Sequence, residues 1–448
     1  MNIKNYTYYY FIGIGGIGMS ALARYFKLMG KNVLGYDKTQ TKLTEKLMEE
    51  GIPIHFTDNV ENIPSEITKE NTVVIYTPAV FKTHSELVYF QENGFNVFKR
   101  SEVLGLITKS TTCLAVAGTH GKTTTSSLLG HILKVADLKS TAFVGGIVEN
   151  YNSNMIFNGD KISVVEADEF DRSFLRLSPD IACITSMDAD HLDIYGKKEE
   201  LEKSFKEFGN IVSQKLFVQK DIDIPNALKY AVEEEADYYA DNIQLEDGFF
   251  TFDLTYPNGK INHIKMTLPG RHNIENAVAA IAMSMEIGVT EEQIKEALAS
   301  FKGIKRRFSR HVAADGKVII DDYAHHPTEL NAIILATKNF YPNKSILGIF
   351  QPHLFSRTRD FADDFAQSLS KLENLILIDI YPAREEPING VTSDWLADKI
   401  EKINGNRPVV VSLENAYNKI LAHSTDIILL MGAGNIDTLY EPLKTNFA

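Results

Sequence analysis

Short apolar runs alternate with amphipathic segments along almost the whole chain. The apolar runs predict buried strands, and the segments with apolar residues at helical spacing predict helices. The predicted strands include YYYFIGIG, NVLGYD, TVVIYT, TTCLAVAG, KISVVEAD, DIACITSM, KSILGIF, NLILIDI, PVVVS and DIILLMG. The helices between them include MSALARYFKLMG, TKLTEKLMEEG and HNIENAVAAIAMSMEIG. This alternation is typical of an α/β protein with parallel sheets.

Two breaks in the pattern predict three domains. A second glycine loop opens after the strand TTCLAVAG, which places a boundary near Lys109. A region of short alternating segments, such as FFTFDLTY, then precedes a restart of the strand–helix pattern near Arg310. We therefore expect domains over residues 1–109, 110–310 and 311–448. The length of 448 residues agrees with this number, at roughly 150 residues per domain.

Composition and the distribution of apolar residues argue against nucleic-acid-binding, secreted and membrane-spanning proteins. The 59 acidic residues exceed the 46 Lys and Arg, and the net charge of −13 argues against a nucleic-acid-binding protein. Cys113 and Cys183 lie in separate apolar runs, which predicts core packing in a reducing compartment. The glycine-broken N-terminus does not fit a signal peptide. No run reaches the ~20 apolar residues of a membrane span, so we expect a cytoplasmic protein with no membrane partner.

The first glycine loop has the pattern G-x-G-x-x-G from Gly13 to Gly18, between a predicted strand and a predicted helix. Glycines at these positions let the backbone approach a diphosphate at the start of the helix. Asp37 closes the following strand, where an acid can hold a ribose hydroxyl. The loop predicts a diphosphate without saying which nucleotide carries it, so an NAD-dependent dehydrogenase stays open at this point.

The second glycine loop, AGTHGKTTT, follows the strand LAVA and begins a helix. Val116 stands where the full phosphate-loop motif has its first glycine, but Gly121, Lys122 and Thr123 are intact. Its backbone amides can cradle phosphates, the lysine can neutralise the β and γ oxygens, and the threonine can bind Mg²⁺. A dehydrogenase leaves this loop unexplained. A non-catalytic nucleotide-binding regulator would not need the intact lysine and threonine.

Acidic residues and a histidine follow the next two strands. Glu166 ends ISVVEAD, and His191 follows IACIT in the stretch DADHLD. Because the carboxyl ends of parallel strands meet at the edge where the phosphate loop also lies, both side chains can converge on a Mg²⁺ ion held by phosphate oxygens.

Three polar clusters lie further along the chain. Asn273 and Asn276 are one helical turn apart and suit an adenine or a ribose. The triplet ending in Arg307 is either a solvated turn or a clamp on phosphate. DDYAHHP and QPHLFSRTR follow two successive strands and suggest a second half-site, in which Arg357 can grip a carboxylate with two hydrogen bonds.

Together these stretches resemble the ATP-dependent Mur ligases of bacterial cell-wall synthesis. The stretches that carry the resemblance run in family order from about residue 11 to 363: FIGIGGIGMSALA, AGTHGKTTT, EADEFDRSF, DADHLD, GRHNIENA, GIKRRF, DDYAHHPTE and FQPHLFSRTRDF. The resemblance implies a Rossmann-like N-terminal domain for a UDP-sugar, a central P-loop-type ATPase domain and a Rossmann-like C-terminal domain that closes over both. GIGGIGMS, DDYAHHPTE and FQPH favour the member that joins L-alanine to UDP-N-acetylmuramate through an acyl phosphate. The ligase that recycles murein tripeptide and a poly-γ-glutamate-type ligase are the alternatives within the same superfamily.

The resemblance also implies a role for particular residues of this chain. The UDP-sugar would contact Gly15, Gly16, Ile17, Gly18, Asp37, Thr77 and Pro78. ATP would contact Gly118, Thr119, His120, Gly121, Lys122, Thr123, Thr124, Asn273, Asn276, Arg307 and Asp322. Lys122, Glu166 and His191 would be catalytic, and Mg²⁺ would bind Thr123, Glu166 and His191. The amino acid would contact Tyr323, His325 and Arg357.

One position departs from the family pattern. Many relatives have arginine where this chain has Leu354, so Arg357 is expected to do more of the carboxylate binding. The sequence leaves a monomer and a homodimer open.

Overall fold

A computed structural model describes residues 3–188, 198–246, 249–383 and 385–447, and three β-sheets organise them. Helices follow the strands in the alternating order that the sequence pattern predicts, so the α/β prediction is confirmed. His191, the predicted metal ligand, lies outside the described residues.

The first sheet is parallel at every neighbouring pair of strands. Its strands are β1 (Tyr8–Ile12), β2 (Asn32–Tyr36), β3 (Ile54–His55), β4 (Thr72–Tyr76) and β5 (Asn96–Lys99), in the order β3-β2-β1-β4-β5. Its helices are α1 (Ile17–Leu28), α2 (Lys42–Glu49), α3 (Ser85–Glu92) and α4 (Arg100–Thr108). The strand order reverses between β1 and β4, and sheets of this type bind ligands in the crevice at such a reversal.

The second sheet carries the second glycine loop at the end of its first strand in chain order. Its strands are β6 (Thr112–Ala117), β7 (Ser140–Val148), β8 (Ser153–Phe157), β9 (Ile162–Ala167), β10 (Ile181–Ile184), β11 (Lys215–Gln219), β12 (Leu228–Val232), β13 (Tyr238–Glu246), β14 (Phe249–Tyr256) and β15 (Gly259–Met266). They run in the order β15-β14-β13-β12-β11-β10-β6-β9-β7-β8. The helices are α5 (Lys122–Val135), α6 (Lys198–Asn210), α7 (Arg271–Met285) and α8 (Glu291–Ser300). Because β6 is parallel to both of its neighbours, β9 and β10, the three strands present their carboxyl ends together.

The third sheet repeats the α/β pattern in the last third of the chain. Its strands are β16 (Ser309–Val312), β17 (Val318–Asp322), β18 (Ile346–Phe350), β19 (Asn374–Ile378), β20 (Val409–Val411) and β21 (Ile427–Met431), in the order β16-β17-β21-β18-β19-β20. The edge pair β16–β17 is antiparallel and the other pairs are parallel. The helices are α9 (Pro327–Phe340), α10 (Phe355–Asp360), α11 (Ala362–Leu369), α12 (Ser393–Asn404), α13 (Leu413–Leu421) and α14 (Tyr440–Asn446). None of the helices in the described segments is long and apolar enough to cross a membrane.

Both faces of the central strands are buried, which explains why the strand sequences are continuous apolar runs. In β1, Phe11 packs into a core that the first two sheets share, whereas Tyr10 faces a separate cluster on the other side. Cys113 and Cys183 are fully buried in β6 and β10. Burial raises the pKa of Cys113 to about 12 and also raises that of Cys183, so both thiols are core residues, as predicted.

The contacts divide the chain into two compact units. The first comprises Met1–Ile243, Phe252–Lys265 and Glu275–Phe301, and the second comprises Gln244–Thr251, Met266–Ile274 and Lys302–Ala448. Both glycine loops belong to the first unit. The second unit contains the whole third sheet and the two stretches predicted to hold an amino acid.

Candidate active site

The first glycine loop lies at the carboxyl ends of β1 and β4. Asp37 fixes it to the end of β2, because the Gly15 N–H donates to Asp37 Oδ2 at 2.7 Å. The other oxygen of Asp37 accepts from the Thr39 N–H at 3.1 Å. Thr77, which follows β4, borders the loop, since its methyl group would lie only 2.7 Å from a Cβ placed on Gly13. The carboxylate predicted to hold a ribose hydroxyl therefore also fixes the conformation of the first glycine loop.

A cation borders the start of α1. Gly16 is the N-cap of this helix and provides no side-chain cap, so the helix start presents backbone amides that suit an anion. Arg100, the first residue of α4, places Nη1 2.6 Å from the position of a Cβ on Gly18. No local motif identifies Arg100, because it is distant from the loop in sequence and reaches it through the packing of the first sheet.

The second glycine loop joins β6 to α5 and is held by the segment that follows β10. The backbone of Gly118 has a φ of +131°, and a Cβ there would lie 2.1 Å from Thr185 Oγ1, so glycine is required. The Thr185 N–H donates to Ala117 O at 2.9 Å. The His120 N–H donates to Ser186 Oγ at 2.8 Å. These bonds fix the loop in a conformation that starts α5 at Lys122.

Lys122 is paired with a buried carboxylate. Its Nζ lies 2.9 and 2.8 Å from the two carboxylate oxygens of Glu169, whose side chain is 0% exposed. Burial alone would lower the pKa of Lys122, but the charge and hydrogen bonds of Glu169 raise it above the ordinary value. Lys122 is therefore positively charged at neutral pH. Glu169 belongs to the stretch EADE, yet its spacing from the loop gives no signal of this contact.

Thr123, in the first turn of α5, lies beside Glu166 near the end of β9. Thr123 Oγ1 donates to Glu166 Oε2 at 3.2 Å, and Ser126 Oγ donates to Glu166 Oε1 at 3.2 Å. The Gly145 N–H of β7 also donates to Glu166 Oε1 at 2.6 Å. Apart from residues outside the described ranges, such as His191, no group of three or more His, Cys, Asp or Glu side chains is arranged to hold a metal ion.

The two predicted asparagines of α7 have different partners. Asn276 Oδ1 accepts from Thr125 Oγ1 at 3.2 Å and would lie 2.5 Å from a Cβ on Gly121, so Asn276 lies against the phosphate loop. Asn273 Nδ2 instead donates to Pro269 O at 2.6 Å. The helical spacing places both residues near one face, but the spacing does not give their hydrogen-bond partners.

Asp322 is a partly buried carboxyl group at the end of β17 in the second unit. Its Oδ2 accepts from the Phe308 N–H at 2.7 Å, and its Oδ1 accepts from the Ala324 N–H at 2.8 Å. Burial raises the pKa of Asp322 to about 6, against the lowering effect of these two bonds and of the nearby Arg307 charge. The predicted residues Arg307 and Asp322 thus lie close together in this unit.

The residues predicted to bind an amino acid form one cluster. The Tyr323 N–H donates to Arg306 O at 2.6 Å, and the Arg306 guanidinium lies 5.0 Å from the centre of the Tyr323 ring. The centre of the His325 ring lies 6.1 Å from that of His353. Burial, with the neighbouring His325 and Arg357, lowers the pKa of His353 to about 4. Arg306 and His353 are thus part of this cluster, although their motifs alone do not assign them a role.

Leu354, the residue that departs from the family pattern, is the N-cap of α10 and has a positive φ of +70°. Its N–H donates to Tyr381 O at 2.9 Å. An apolar side chain at this position supplies no positive charge. In the first turn of α10, it is the charge of Arg357 that contributes to the lowered pKa of His353.

Three family models match the chain in order. The model for the Mur ligase family, catalytic domain, matches residues 8–112, and that for the Mur ligase middle domain matches residues 116–284. The model for the Mur ligase, glutamate ligase domain, matches residues 306–434. The chain belongs to the Mur ligase family.

Relatives match over nearly the full length. The chain is 54% identical over 446 residues to the UDP-N-acetylmuramate–L-alanine ligase of Flavobacterium johnsoniae, with 99% of this chain and 98% of that protein covered. The crystal structure of UDP-N-acetylmuramate-alanine ligase from Thermotoga maritima matches with a TM-score of 0.82 at 26% identity, with 98% of both chains covered. The murein peptide ligase of Psychrobacter arcticus matches with a lower TM-score of 0.68 at 21% identity, again with 98% of both chains covered.

Proposed function

We propose that the chain ligates L-alanine to UDP-N-acetylmuramate with hydrolysis of ATP to ADP and phosphate. The observation that carries the proposal is the arrangement of Lys122, Thr123 and Glu166 at the carboxyl ends of β6 and β9, where a charged lysine, a hydroxyl and a carboxylate meet at one phosphate loop. The near-full-length identity to an alanine-adding ligase supports the choice of substrates.

The proposed reaction has two steps. A carboxylate oxygen of the muramoyl group attacks the γ-phosphorus of ATP, and the bond from that phosphorus to the bridging oxygen of ADP breaks. The resulting acyl phosphate is then attacked at its carbonyl carbon by the amino group of L-alanine. The amide bond forms, the amine loses a proton, and phosphate leaves.

The first step brings two anions together, so the site must stabilise concentrated negative charge. Lys122 and the amides of the loop from Gly118 to Thr124 would do this by positioning and electrostatics. A Mg²⁺ ion fits the donors present, because the Thr123 hydroxyl and the Glu166 carboxylate are oxygen ligands of the kind it prefers. When bound there, the ion would neutralise charge on the phosphate oxygens. His191 stays a predicted third ligand.

The remaining predicted roles are part of the same proposal. The first glycine loop, with Asp37, Thr77 and Pro78, would hold the UDP-sugar. Asn273, Asn276, Arg307 and Asp322 would contact the adenosine or the phosphates, and Tyr323, His325 and Arg357 would bind L-alanine. We propose the same three domains, 1–109, 110–310 and 311–448, a cytoplasmic location, and a monomer or homodimer.

The test is release of phosphate from ATP with Mg²⁺ and UDP-N-acetylmuramate, with L-alanine, D-glutamate or the murein tripeptide added separately. Release that requires both the sugar nucleotide and L-alanine is the expected result. Stimulation by the tripeptide alone would instead indicate the recycling ligase. No release with any acceptor, from protein shown to be folded, would contradict the proposed activity.

A further inference from the structure

The lysine of the phosphate loop is fully occupied by oxygen atoms of the protein itself. Lys122 Nζ lies 2.5 Å from Gly118 O, within 2.9 Å of both Glu169 oxygens, and 3.5 Å from Thr119 O. An ammonium group has three N–H donors, so these four acceptors already use all of them. A phosphate oxygen can therefore bind this lysine only if the lysine turns away from at least one present partner.

Glu169 is held in place by the turn that carries it. It is the N-cap of a 3-10 helix, Phe170–Arg176, in which the Phe174 N–H donates to Asp168 O at 3.0 Å. Phe174 is buried and stacks on Phe208 of α6, with ring centres 5.1 Å apart and an interplanar angle of 4°. Because this aromatic contact anchors the turn, the carboxylate stays beside the phosphate loop when the lysine moves.

We propose that Glu169 is a positioning residue that competes with nucleotide phosphate for Lys122. The inference rests on the proposed nucleotide-binding role of the loop. Two effects make the competition costly for the nucleotide. The Lys122–Glu169 ion pair must loosen, and a buried carboxylate is left near the negative charge of the phosphates. Glu169 therefore keeps the affinity for nucleotide below the value that the loop and lysine alone would give.

The same competition favours release of product. When the γ-phosphoryl group has left, fewer phosphate oxygens hold Lys122, and Glu169 can take the lysine back. Loss of the carboxylate is therefore expected to strengthen ADP binding and lower the KM for ATP without raising kcat. A purely structural role of Glu169 predicts the opposite sign for binding, since loosening the loop weakens its contacts with phosphate.

The experiment is calorimetric titration of the full chain with ADP and with a non-hydrolysable ATP analogue, each with Mg²⁺. Glu169→Gln keeps the shape and size of the side chain but removes its charge. We expect this variant to bind both nucleotides about tenfold more tightly than the wild type, a change of about 1.4 kcal/mol. Glu169→Asp keeps the charge but shortens the side chain, so a smaller gain in the same direction is expected.

Glu207→Gln is the matched control. Glu207 pairs with Arg172 of the same 3-10 helix, and its side chain is 40% exposed. This variant removes a carboxylate that steadies the turn but does not contact Lys122, and we expect wild-type affinity. The same gain in affinity from Glu207→Gln would assign the effect to the turn and overturn the proposal.

Weaker or unchanged nucleotide binding by folded Glu169→Gln would also overturn the proposal. If that variant does not fold, Glu169→Asp decides by the same criterion. A folded wild-type chain that binds neither nucleotide would contradict the proposed function itself, so the two failures are distinguishable.

Discussion

At the scale of one residue, Lys122 combines a proposed role in phosphate binding with a buried ion pair to Glu169. Lys122→Ala is expected to reduce ligation at least ~100-fold, because charge on the phosphates loses its cationic partner. The same change removes Lys122 from its ion pair with the buried Glu169 carboxylate, which costs about 3–5 kcal/mol. Steady-state phosphate release and thermal unfolding measure the two effects separately.

The double variant Lys122→Ala/Glu169→Gln separates the two roles of this lysine. It removes both charges of the buried ion pair, so thermal stability is expected to recover while ligation stays lost. Lys134→Ala, in the last turn of the same helix, is the control, since Lys134 bonds Phe157 O and lies over Tyr151. Turnover near the wild-type rate in the folded double variant would disprove the role of Lys122 in binding nucleotide.

Glu86 gives a residue-scale prediction about pH. The carboxyl group is fully buried and accepts from Tyr10 Oη at 2.8 Å, and burial raises its pKa from 4.5 to about 7. The folded chain therefore retains this proton over the range from about pH 4.5 to 7, in which the unfolded chain releases it. Stability is greatest below that range and falls as pH rises through it, by at most about 3 kcal/mol for this group.

Glu86→Gln is expected to remove this part of the pH dependence. Thermal unfolding at pH 5 and pH 8 should show the variant gaining stability relative to the wild type at the higher pH. Glu92→Gln, at the exposed end of the same helix, should leave the pH dependence unchanged. An equal pH dependence in Glu86→Gln and the wild type would show that the buried carboxyl group is not protonated at neutral pH.

At the scale of one element, the loop between β6 and α5 depends on glycine for its path. Gly118→Ala would place a methyl group 2.1 Å from Thr185 Oγ1 in a backbone conformation that alanine rarely adopts. We expect nucleotide affinity to fall at least ~10-fold, because the loop must move before its amides can point at phosphate. Calorimetric titration with ADP measures the loss.

Gly94→Ala is a suitable comparison for this loop. Gly94 also has a positive φ, +73°, but a Cβ there would meet nothing within 4 Å. It imposes similar backbone strain on a turn away from both glycine loops, so nucleotide affinity is expected to stay unchanged. A similar loss of affinity in both variants would attribute the effect of Gly118→Ala to general destabilisation.

The same elements show what the sequence can predict and what it cannot. The strands, helices and both glycine loops follow from local patterns, and Glu166 follows because it ends a strand beside the loop. Glu169 and Arg100 could not be found this way, since each reaches its loop through the packing of a separate element. The spacing of Asn273 and Asn276 predicts that they share one face of α7. It cannot predict the hydrogen bond from Asn273 to Pro269 O, because that bond depends on the backbone conformation before the helix.

At the scale of the first compact unit, one buried network connects the first sheet to the second. Asn154 of β8 is fully buried, and its Nδ2 donates to Ser20 Oγ of α1 at 2.8 Å and to Ile17 O. Asn154 Oδ1 accepts from the buried Arg24, whose Nε donates to Glu50 at 2.7 Å. Because Ile17 begins the helix that follows the first glycine loop, Asn154 holds the start of that helix against the second sheet.

Asn154→Ala is therefore expected to raise the KM for UDP-N-acetylmuramate several-fold with a smaller effect on the KM for ATP. The reason is that the start of α1 loses its anchor, whereas the loop before α5 keeps its bonds to Thr185 and Ser186. Asn158→Ala is the matched control just after the same strand, where Asn158 bonds Leu138 O and Asp137 instead of α1. Initial rates with each substrate varied in turn measure the difference. An equal rise in both KM values would mean that the network stabilises the unit as a whole and does not position the UDP-sugar loop in particular.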